Sequence, residues 1–425
     1  MGGSAFQRTV IAVGLVFAGT ATQPAYSAGF ALSEQNVSGL GNAYAGAAAV
    51  AEDASTVWWN PAGMSKLRAG RQVALGATYI QPSTRFTDTG TTVPAPRALG
   101  GDGGNAGQAA GVPFAYFTTD AGTNIKFGVG LSVPFGLATE YDPAWTGRFQ
   151  GIKAKIQSQN LNPSVSLKVS EALSLGAGVN WQQFKAELSS AVNFGAAGEG
   201  SSVIKGDGDA LGYNVGALYD IAPRTRLGLA YRSMIRQKLS GSVNFSRPAA
   251  VPAAAAPDGI INLNVDLPDT YSVALAHELS PQWQLLADAT QTGWSRIQNL
   301  VIFRDTGAPL STLALNFRNT MRYALGVNYR PSDKWIMRGG VALDQSPVKD
   351  AQSRTVRLPD NDRIWFSLGA KYRFSEGGSV DFGYSYLKVR DSSINNSFNS
   401  AVVGTVNGNY KEYVNIAGLQ YTRDF

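Results

Sequence analysis

The sequence predicts an all-β membrane protein: a transmembrane antiparallel β-barrel of about 14 strands, with a small N-terminal hatch plugging the lumen. Three observations support this fold class. Charged residues make up only 16% of the 425 residues, well below the ~25% of an average soluble domain. Apolar and polar residues alternate with a period of two along most of the chain. No stretch of about 18 apolar residues recurs, which excludes a bundle of membrane helices.

The alternation is clearest in the second half of the chain. In RIWFSLGAKYRF, residues 363–374, every second residue from Ile364 to Phe374 is apolar or aromatic, and the residues between them are mostly polar, small or charged. RYALGVNYR (322–330) and SVDFGYSYL (379–387) follow the same pattern. A soluble β-sandwich would also alternate, but in strands of about 5–6 residues. Segments this long, ending in aromatic residues, favour lipid-facing strands of about 9–11 residues.

About fourteen such segments follow residue 70, an even number as a closed bacterial barrel requires. We expect them to begin near Arg71, Val112, Asn124, Lys153, Leu173, Asp209, Arg224, Asn262, Gln282, Arg318, Lys334, Asp362, Ser379 and Lys411. Some connections are short turns, whereas 84–111, 188–208, 242–261 and 391–410 read as long loops rich in Gly, Ala and Pro. Short turns at one end and long loops at the other are typical of periplasmic and extracellular ends.

The first residues predict export. Arg8 precedes a short apolar run, Thr9 to Thr20, and Ala25-Tyr26-Ser27 offers small residues for cleavage before Ala28. This pattern is typical of a secretory signal peptide, residues 1–27, and it is too short for a stable membrane anchor. Together with the barrel pattern it predicts a protein of the bacterial outer membrane.

The composition argues against an enzyme, a metalloprotein and a nucleic-acid binder. The chain has no cysteine and a single histidine, His277, which lies in phase with the apolar face of its segment. A thiolate site is therefore impossible, and a His-dependent triad or zinc site would depend on this one residue. The net charge of +6 is mild, whereas nucleic-acid binding needs clustered Lys and Arg. We expect no catalytic residues, no metal and no cofactor.

Residues 28–70 lack the alternation and are rich in small residues, so we expect them to lie inside the barrel formed by residues 71–425. The most distinctive part is TVWWNPAGM, residues 56–64. Asn60 can cap a short helix whose first position suits Pro61. Such a turn could be no more than a helix start, or it could anchor the hatch against the wall. At least one of Trp58 and Trp59 is expected to pack against the barrel interior, with contact to a ligand as the alternative.

Four stretches carry a resemblance to a known family. AGFALSEQNVSGLGNAYAGAAAVAEDASTVWWNPAGM (28–64) resembles the N-terminal hatch of the FadL-type outer-membrane transporters of long-chain fatty acids, whose relatives take up aromatic hydrocarbons such as toluene. Residues 134–151, 267–300 and 346–374 resemble barrel segments of the same family. The resemblance implies a fourteen-stranded barrel and energy-independent transport. Ligand would pass from an outer groove to a pocket in the lumen and leave through a side opening in the wall.

The resemblance also assigns roles to particular residues. Phe30 and Leu32 match apolar hatch positions that enter the ligand pocket, and Trp58, Trp59, Asn60, Pro61 and Ala62 match the hatch motif. Pro134, Phe135 and Gly136 match the family's kinked third strand, where the lateral opening lies. The residues themselves agree in part, because Pro removes a ladder donor and Gly weakens a strand. A loop at the end of the strand is the alternative.

The carboxylate site is where the match departs from the family. The two basic pocket positions of fatty-acid transporters fall near Ser190 and Leu313, which are not basic. Lys185 and Arg318 are candidate ligand-binding substitutes, with Arg304 a further one. Either a different cation serves, or the substrate carries no carboxylate.

The sequence therefore predicts a passive channel for hydrophobic molecules, with long-chain fatty acids as the first choice. Monoaromatic hydrocarbons are the alternative, and a general porin is less favoured because a porin needs no plug of about forty residues. The expected partners are the hydrophobic ligand, outer-membrane lipid and lipopolysaccharide, and the barrel-assembly machinery. We expect no nucleic acid, and a monomer.

Overall fold

The computed structural model describes residues 29–375 and 377–425, so the predicted signal peptide, 1–27, lies outside the described residues. Twenty strand segments form one antiparallel sheet. They are β1 Arg71–Asp88, β2 Ala110–Asp120, β3 Ile125–Ser132, β4 Gly136–Glu140, β5 Lys153–Lys168, β6 Leu173–Asn193, β7 Glu199–Ala222, β8 Thr225–Arg232, β9 Ile235–Ser246, β10 Gly259–Leu267, β11 Thr270–Glu278, β12 Trp283–Thr292, β13 Asn299–Arg304, β14 Pro309–Ala314, β15 Thr320–Ser332, β16 Trp335–Asp344, β17 Arg363–Ser375, β18 Gly378–Val389, β19 Ser392–Asn396 and β20 Val406–Asp424.

These segments build a closed barrel of 14 wall strands, as the sequence predicts. Six wall strands are interrupted and appear as two segments each; β3 and β4, for example, both pair with β5. The other interrupted strands are β8/β9, β10/β11, β12/β13, β14/β15 and β18/β19. The last strand, β20, pairs with β1 from Gln72↔Asp424 to Asp88↔Gly408, which closes the ring.

The outer face of the wall is apolar. Leu325 and Leu368 are 64% and 68% exposed, and they alternate along their strands with buried inward residues such as Ala324 and Ser367. Near the short turns the band ends in paired aromatic rings, such as Trp283 with Tyr329 at 4.4 Å and Trp335 with Tyr372 at 4.8 Å. An apolar belt bordered by aromatic residues is the outer surface of a membrane-spanning barrel.

The long loops are shorter than predicted. The gap expected at 188–208 is mostly strand, because β6 runs to Asn193 and β7 begins at Glu199 rather than near Asp209. Likewise β9 extends to Ser246 and β10 begins at Gly259. Small residues such as Gly, Ala and Ser fill these hairpins, so the strand signal of bulky β-branched residues is weak there although the backbone ladder continues.

The N-terminal segment, residues 29–70, lies inside the ring. It contacts strands on opposite sides of the barrel, from β5, β6 and β7 to β16, β17 and β18. Its helical turns are Leu40–Asn42, Ala47–Val50, Thr56–Trp59 and Pro61–Lys66; the other short helices are Gly195–Ala197, Ala253–Ala255, Trp294–Arg296 and Ser400–Val403. Within the described residues no helix is long and apolar enough to cross a membrane.

Inward-facing glycines allow this close packing. A Cβ added at Gly340 would come within 2.2 Å of the Asn42 carbonyl oxygen, and one at Gly228 within 2.1 Å of the Ala48 carbonyl oxygen. Real Cβ atoms do not approach backbone so closely, so only glycine fits where the segment touches the wall.

Candidate ligand site and the break in the wall

The third wall strand is broken between β3 and β4. The β2–β3 ladder ends at the pair Ala115↔Leu131, and β3 itself ends at Ser132. The next segment, β4, starts at Gly136. Between them the backbone turns to other partners: the Phe135 N–H donates to Ser158 Oγ at 2.8 Å, and that hydroxyl donates to the Phe135 carbonyl. Pro134 has no N–H to give to a ladder, which favours a break here, although Pro82, Pro113 and Pro163 lie within continuous strands of the same wall.

The first described residues cover this break. The Leu32 N–H donates to the Pro134 carbonyl at 2.8 Å, and the Gly136 N–H donates to the Phe30 carbonyl at 2.9 Å. Gln35 adds a hydrogen bond of 2.8 Å from Nε2 to the Val133 carbonyl. The structure thus brings together two groups of residues that the sequence singled out separately.

Phe30 occupies an aromatic pocket. Its ring lies 4.7 Å from Trp294, 5.8 Å from Phe135 and 6.5 Å from Phe184, and its side chain is only 3% exposed. The pocket walls come from β6, the broken third strand and the turn at Trp294–Arg296. Leu32 is buried as well, in the neighbouring apolar cluster around Tyr44 and Trp365.

The hatch motif caps a helix and also touches the wall. Asn60 Oδ1 accepts the Ala62 N–H at 3.1 Å, with Pro61 in the first position, so the predicted cap is confirmed on a 3-10 helix. The Asn60 amide group donates to Ala48 within the segment and to the carbonyls of Ala217 and Leu229 on β7 and β8. One side chain therefore joins the helix start, the segment and the wall.

A cavity of about 150 Å³ lies between the segment and the wall. Residues of the segment, the broken strand and the opposite wall line it, among them Leu32, Trp58, Trp59, Pro61, Pro134, Phe135, Arg232 and Arg322. The guanidinium carbon of Arg232 lies 3.5 Å from the ring centroid of Trp58. The ring centroids of Trp59 and Tyr44 are 5.2 Å apart. Both tryptophans therefore combine packing with a position at the cavity.

The cations named from the sequence lie elsewhere. Lys185 is exposed on β6 on the face opposite to the buried Phe184, so it points away from the pocket. Arg318 is exposed and bonded to Asp362 and to the Ser346 carbonyl. Arg304 is bonded to the Pro257 carbonyl between β9 and β10.

Of the two positions aligned with the family's basic residues, Ser190 bonds to Ser202, and Leu313 packs in the cluster around Val243. The cations at the cavity are instead Arg232 and Arg322. A signal for Arg232 exists in the sequence, since it shares the period-2 face of Gly228 and Ala230, which turns inward.

Two acidic groups of the N-terminal segment have shifted pKa values. Burial raises the pKa of Glu34 to about 7, and neither of its carboxylate oxygens has a partner among the described residues. Burial also disfavours the charged form of Glu52, but Arg338 and Lys371 outweigh it and hold the pKa of Glu52 well below its ordinary value. One acid is thus poised near neutrality while the other stays ionised.

His277 lies on β11, where its Nδ1 lies 2.9 Å from the hydroxyl of Thr225. The described residues contain no group of His, Cys, Asp and Glu side chains that could hold a metal ion.

A closed 14-stranded barrel with an apolar outer belt and a chain segment folded inside it defines a class: an outer-membrane channel protein with an occluded lumen. Residues 18–425 match the family described as "Outer membrane protein transport protein (OMPP1/FadL/TodX)", and the chain belongs to this family. It is therefore an outer-membrane transport protein rather than an enzyme.

The comparisons cover nearly the whole chain. The long-chain fatty acid transport protein of Salmonella typhi is 31% identical over 416 residues, covering 92% of this chain and 93% of that protein. Outer membrane protein P1 of Haemophilus influenzae is 29% identical over 465 residues and 99% of each chain. The crystal structure of a Pseudomonas aeruginosa FadL homologue superposes with a TM-score of 0.86 at 29% identity, covering 94% of this chain and 100% of that one. The Pseudomonas putida toluene transporter TodX shares the fold, with a TM-score of 0.67 at 16% identity over 88% of this chain and 94% of that one.

Proposed function

We propose that this protein is a passive outer-membrane diffusion channel for long-chain fatty acids, which leave through the break in the third wall strand into the outer leaflet. The observation that carries the proposal is the pairing of Phe30–Leu32 with Pro134–Gly136. A wall break covered by the N-terminal segment can be opened by moving that segment, whereas an unbroken ladder could open only by unfolding. Fatty acids are favoured as cargo because relatives about 31% identical are named as their transporters.

The path has two parts. Phe30 occupies an aromatic pocket that the acyl chain of the ligand would fill in its place. Residues 28–70 act as the hatch that blocks the lumen. The cavity of about 150 Å³ is smaller than the ~300–1,000 Å³ typical of ligand pockets, so a long chain needs Phe30 to withdraw. Withdrawal also frees Pro134 and Gly136, which couples ligand entry to opening of the wall.

Monoaromatic hydrocarbons are the second candidate, favoured by the cavity itself. A cavity of about 150 Å³ has room for a ring the size of benzene, and Leu32, Trp59 and Phe135 supply apolar lining, so a toluene-sized ligand would fit without displacing Phe30. A general porin is disfavoured because the segment fills the lumen; a large open-pore conductance in planar bilayers would support it.

The remaining partner assignments follow from the surface. We infer that the apolar belt faces lipid and lipopolysaccharide, that one closed chain acts as a monomer, and that the barrel-assembly machinery inserts the protein.

A reversible lock tests the route. Ala31 and Phe135 face each other in an isolated antiparallel bridge, and the chain has no native cysteine. The hydrogen bonds of this bridge are made by the flanking residues, so Ala31 and Phe135 form a non-hydrogen-bonded pair. The Cα atoms of such a pair lie about 4.5 Å apart, a separation that suits a disulfide. In Ala31→Cys/Phe135→Cys, oxidation should abolish uptake of labelled oleate by cells and reduction should restore it.

The matched control crosslinks the wall to itself. Phe382 and Leu419 are paired across β18 and β20 on the outer face of the wall, where they are 54% and 52% exposed. Phe382→Cys/Leu419→Cys should transport oleate in both redox states. Full uptake by the oxidised Ala31→Cys/Phe135→Cys protein would contradict the lateral route, and labelled toluene measured in parallel separates the two cargo classes.

A further inference from the structure

Arg232 is a cation at the cavity without an anionic partner. It ends β8, where the seventh wall strand is interrupted. Its Nη2 donates to the Trp58 carbonyl at 2.7 Å, its Nη1 donates to Asn180 Oδ1, and its guanidinium lies over the Trp58 ring. In the part of the chain that the structure describes, these partners are all neutral and no carboxylate pairs with Arg232. A partly buried guanidinium held only by neutral groups retains most of its attraction for an anion.

The other cation at the cavity is already matched. Arg322 Nη1 lies 3.7 Å from Asp288 Oδ1, and its Nη2 donates to the Ala43 carbonyl at 2.6 Å. A second cavity acid, Asp344, accepts the Trp365 indole N–H at 3.4 Å. These acids lie on β12 and β16, away from β8, so they balance Arg322 and leave Arg232 as the unmatched charge.

Unused hydrogen-bond donors belong to residues of the same cavity. Trp59 Nε1 and Asn214 Nδ2 are buried and have no partner among the described residues. The orientation of the Asn214 amide is fixed, because its oxygen accepts from both Asn162 and Asn180. Buried donors without acceptors are costly, so a site with a cation and spare donors favours a ligand that brings acceptors.

We propose that Arg232 binds the carboxylate of the transported ligand and that this contact loosens the N-terminal segment at Trp58. The proposal rests on the proposed function, since it names the headgroup site of the same channel. Arg–carboxylate pairs form two parallel charge-assisted hydrogen bonds, about twice as strong as neutral ones. A bound carboxylate therefore replaces the Trp58 carbonyl as partner of Arg232 and removes one tie between wall and segment. A ligand without a carboxylate leaves that tie in place.

Binding measurements with two chain-matched ligands test the headgroup contact. Oleate and methyl oleate share the acyl chain and differ in the charged headgroup, so their affinities for the nanodisc-embedded protein isolate the carboxylate term. In Arg232→Gln, oleate affinity should fall by about 10- to 100-fold and methyl oleate affinity should stay within about twofold. The oleate affinity of Arg232→Lys should lie between those of the unmodified protein and Arg232→Gln, because an ammonium cannot form the bidentate pair. Arg236→Gln, which removes an exposed arginine of β9 paired with Asp266, is the matched control and should bind both ligands normally.

The outcomes distinguish failure of the proposed function from failure of the headgroup site at Arg232. If the unmodified protein binds neither ligand, the proposed function fails. If it binds both and Arg232→Gln loses both equally, or neither, Arg232 is structural and the inference fails while the function stands.

Hydrogen exchange on the unmodified protein provides a test that needs no variant to fold. Oleate should speed exchange of the amides of Thr56–Asn60, and methyl oleate should leave them unchanged. Equal exchange with both ligands overturns the release of Trp58.

Discussion

Arg338 of β16 donates two hydrogen bonds, 2.7 and 2.8 Å long, to the carboxylate of Glu52 in the N-terminal segment. Lys371 of β17 lies 2.7 Å from the same carboxylate, and Asp381 of β18 accepts from Arg338 at 2.9 Å. Three wall strands thus hold one acid of the segment through a buried cluster of two cations and two anions. Since each charge has an opposite neighbour, the cluster is satisfied only while the segment stays in the lumen.

Removing the charge of Glu52 should loosen the segment. Breaking a buried ion pair costs about 3–5 kcal/mol because the remaining charge is left unpaired. In Glu52→Gln we therefore expect faster hydrogen exchange across residues 40–60 and more frequent channel openings in planar bilayers. Glu278→Gln is the control, since the carboxylate of Glu278 is bonded to Arg330 and Gln284 of the barrel wall. Unchanged exchange in Glu52→Gln would show that the cluster does not hold the segment.

Two adjacent glycines of β16 test where the segment lies. A Cβ at Gly340 would meet the backbone of Asn42 at 2.2 Å, whereas at Gly339, which faces outward, the nearest atom lies at 3.8 Å. Gly340→Ala should displace the segment and raise bilayer conductance, and Gly339→Ala should behave like the unmodified protein. Because both variants place the same methyl group in the same strand, equal effects would contradict the packing of the segment on this face.

The wall was largely predictable because each strand repeats a local signal. Period-2 alternation and turn residues place most strand starts within about two residues. The start of β7 was expected near Asp209 instead of at Glu199, because small residues replace bulky ones in its first part. The cavity was not predictable in the same way. Moving one position along a strand reverses the face, so Lys185 points out while Phe184 points in.

The cation at the cavity was missed for a different reason. The period-2 pattern of β8 indicates that Arg232 faces inward, but its contact with Trp58 spans 174 positions of the sequence, and no local pattern encodes such a contact. By contrast, the cap formed by Asn60 and Pro61 was found because its signal is contained in neighbouring residues.

Two substitutions at Asn60 separate its cap from its anchor. Asn60→Asp keeps an oxygen for the Ala62 N–H but loses the donors to Ala48, Ala217 and Leu229, while Asn60→Ala loses both functions. We expect Asn60→Ala to lower the local stability of the segment by about 1–3 kcal/mol, combining a lost cap with unsatisfied buried carbonyls. If the wall contacts contribute more than the cap, residues 56–66 of Asn60→Asp will exchange hydrogen nearly as fast as those of Asn60→Ala. Protection equal to that of the unmodified protein in Asn60→Asp would show that Asn60 is only a helix cap.

Glu34 should make the folded N-terminal segment less stable in the lumen as pH rises through neutrality. Burial raises the pKa of this carboxyl from 4.5 to about 7, with Arg363, Arg322 and Asp344 as the charged groups facing it. A folded-state pKa above the unfolded value means that the folded segment binds the proton more tightly. The stabilisation of the folded segment by protonated Glu34 is complete below about pH 4.5. It is lost as pH rises to about 7 and amounts to about 3 kcal/mol at most.

Glu34→Gln removes this titration while keeping the size of the side chain. Hydrogen exchange of residues 29–40 should be compared between the two proteins at each pH, so that the intrinsic pH dependence of exchange cancels. The unmodified protein should exchange about fourfold faster at pH 5 and about 100-fold faster at pH 8, because its ionised carboxylate favours the released segment. A ratio that stays constant from pH 5 to pH 8 would exclude Glu34 as the group responsible, since no other difference between the two proteins titrates in this range.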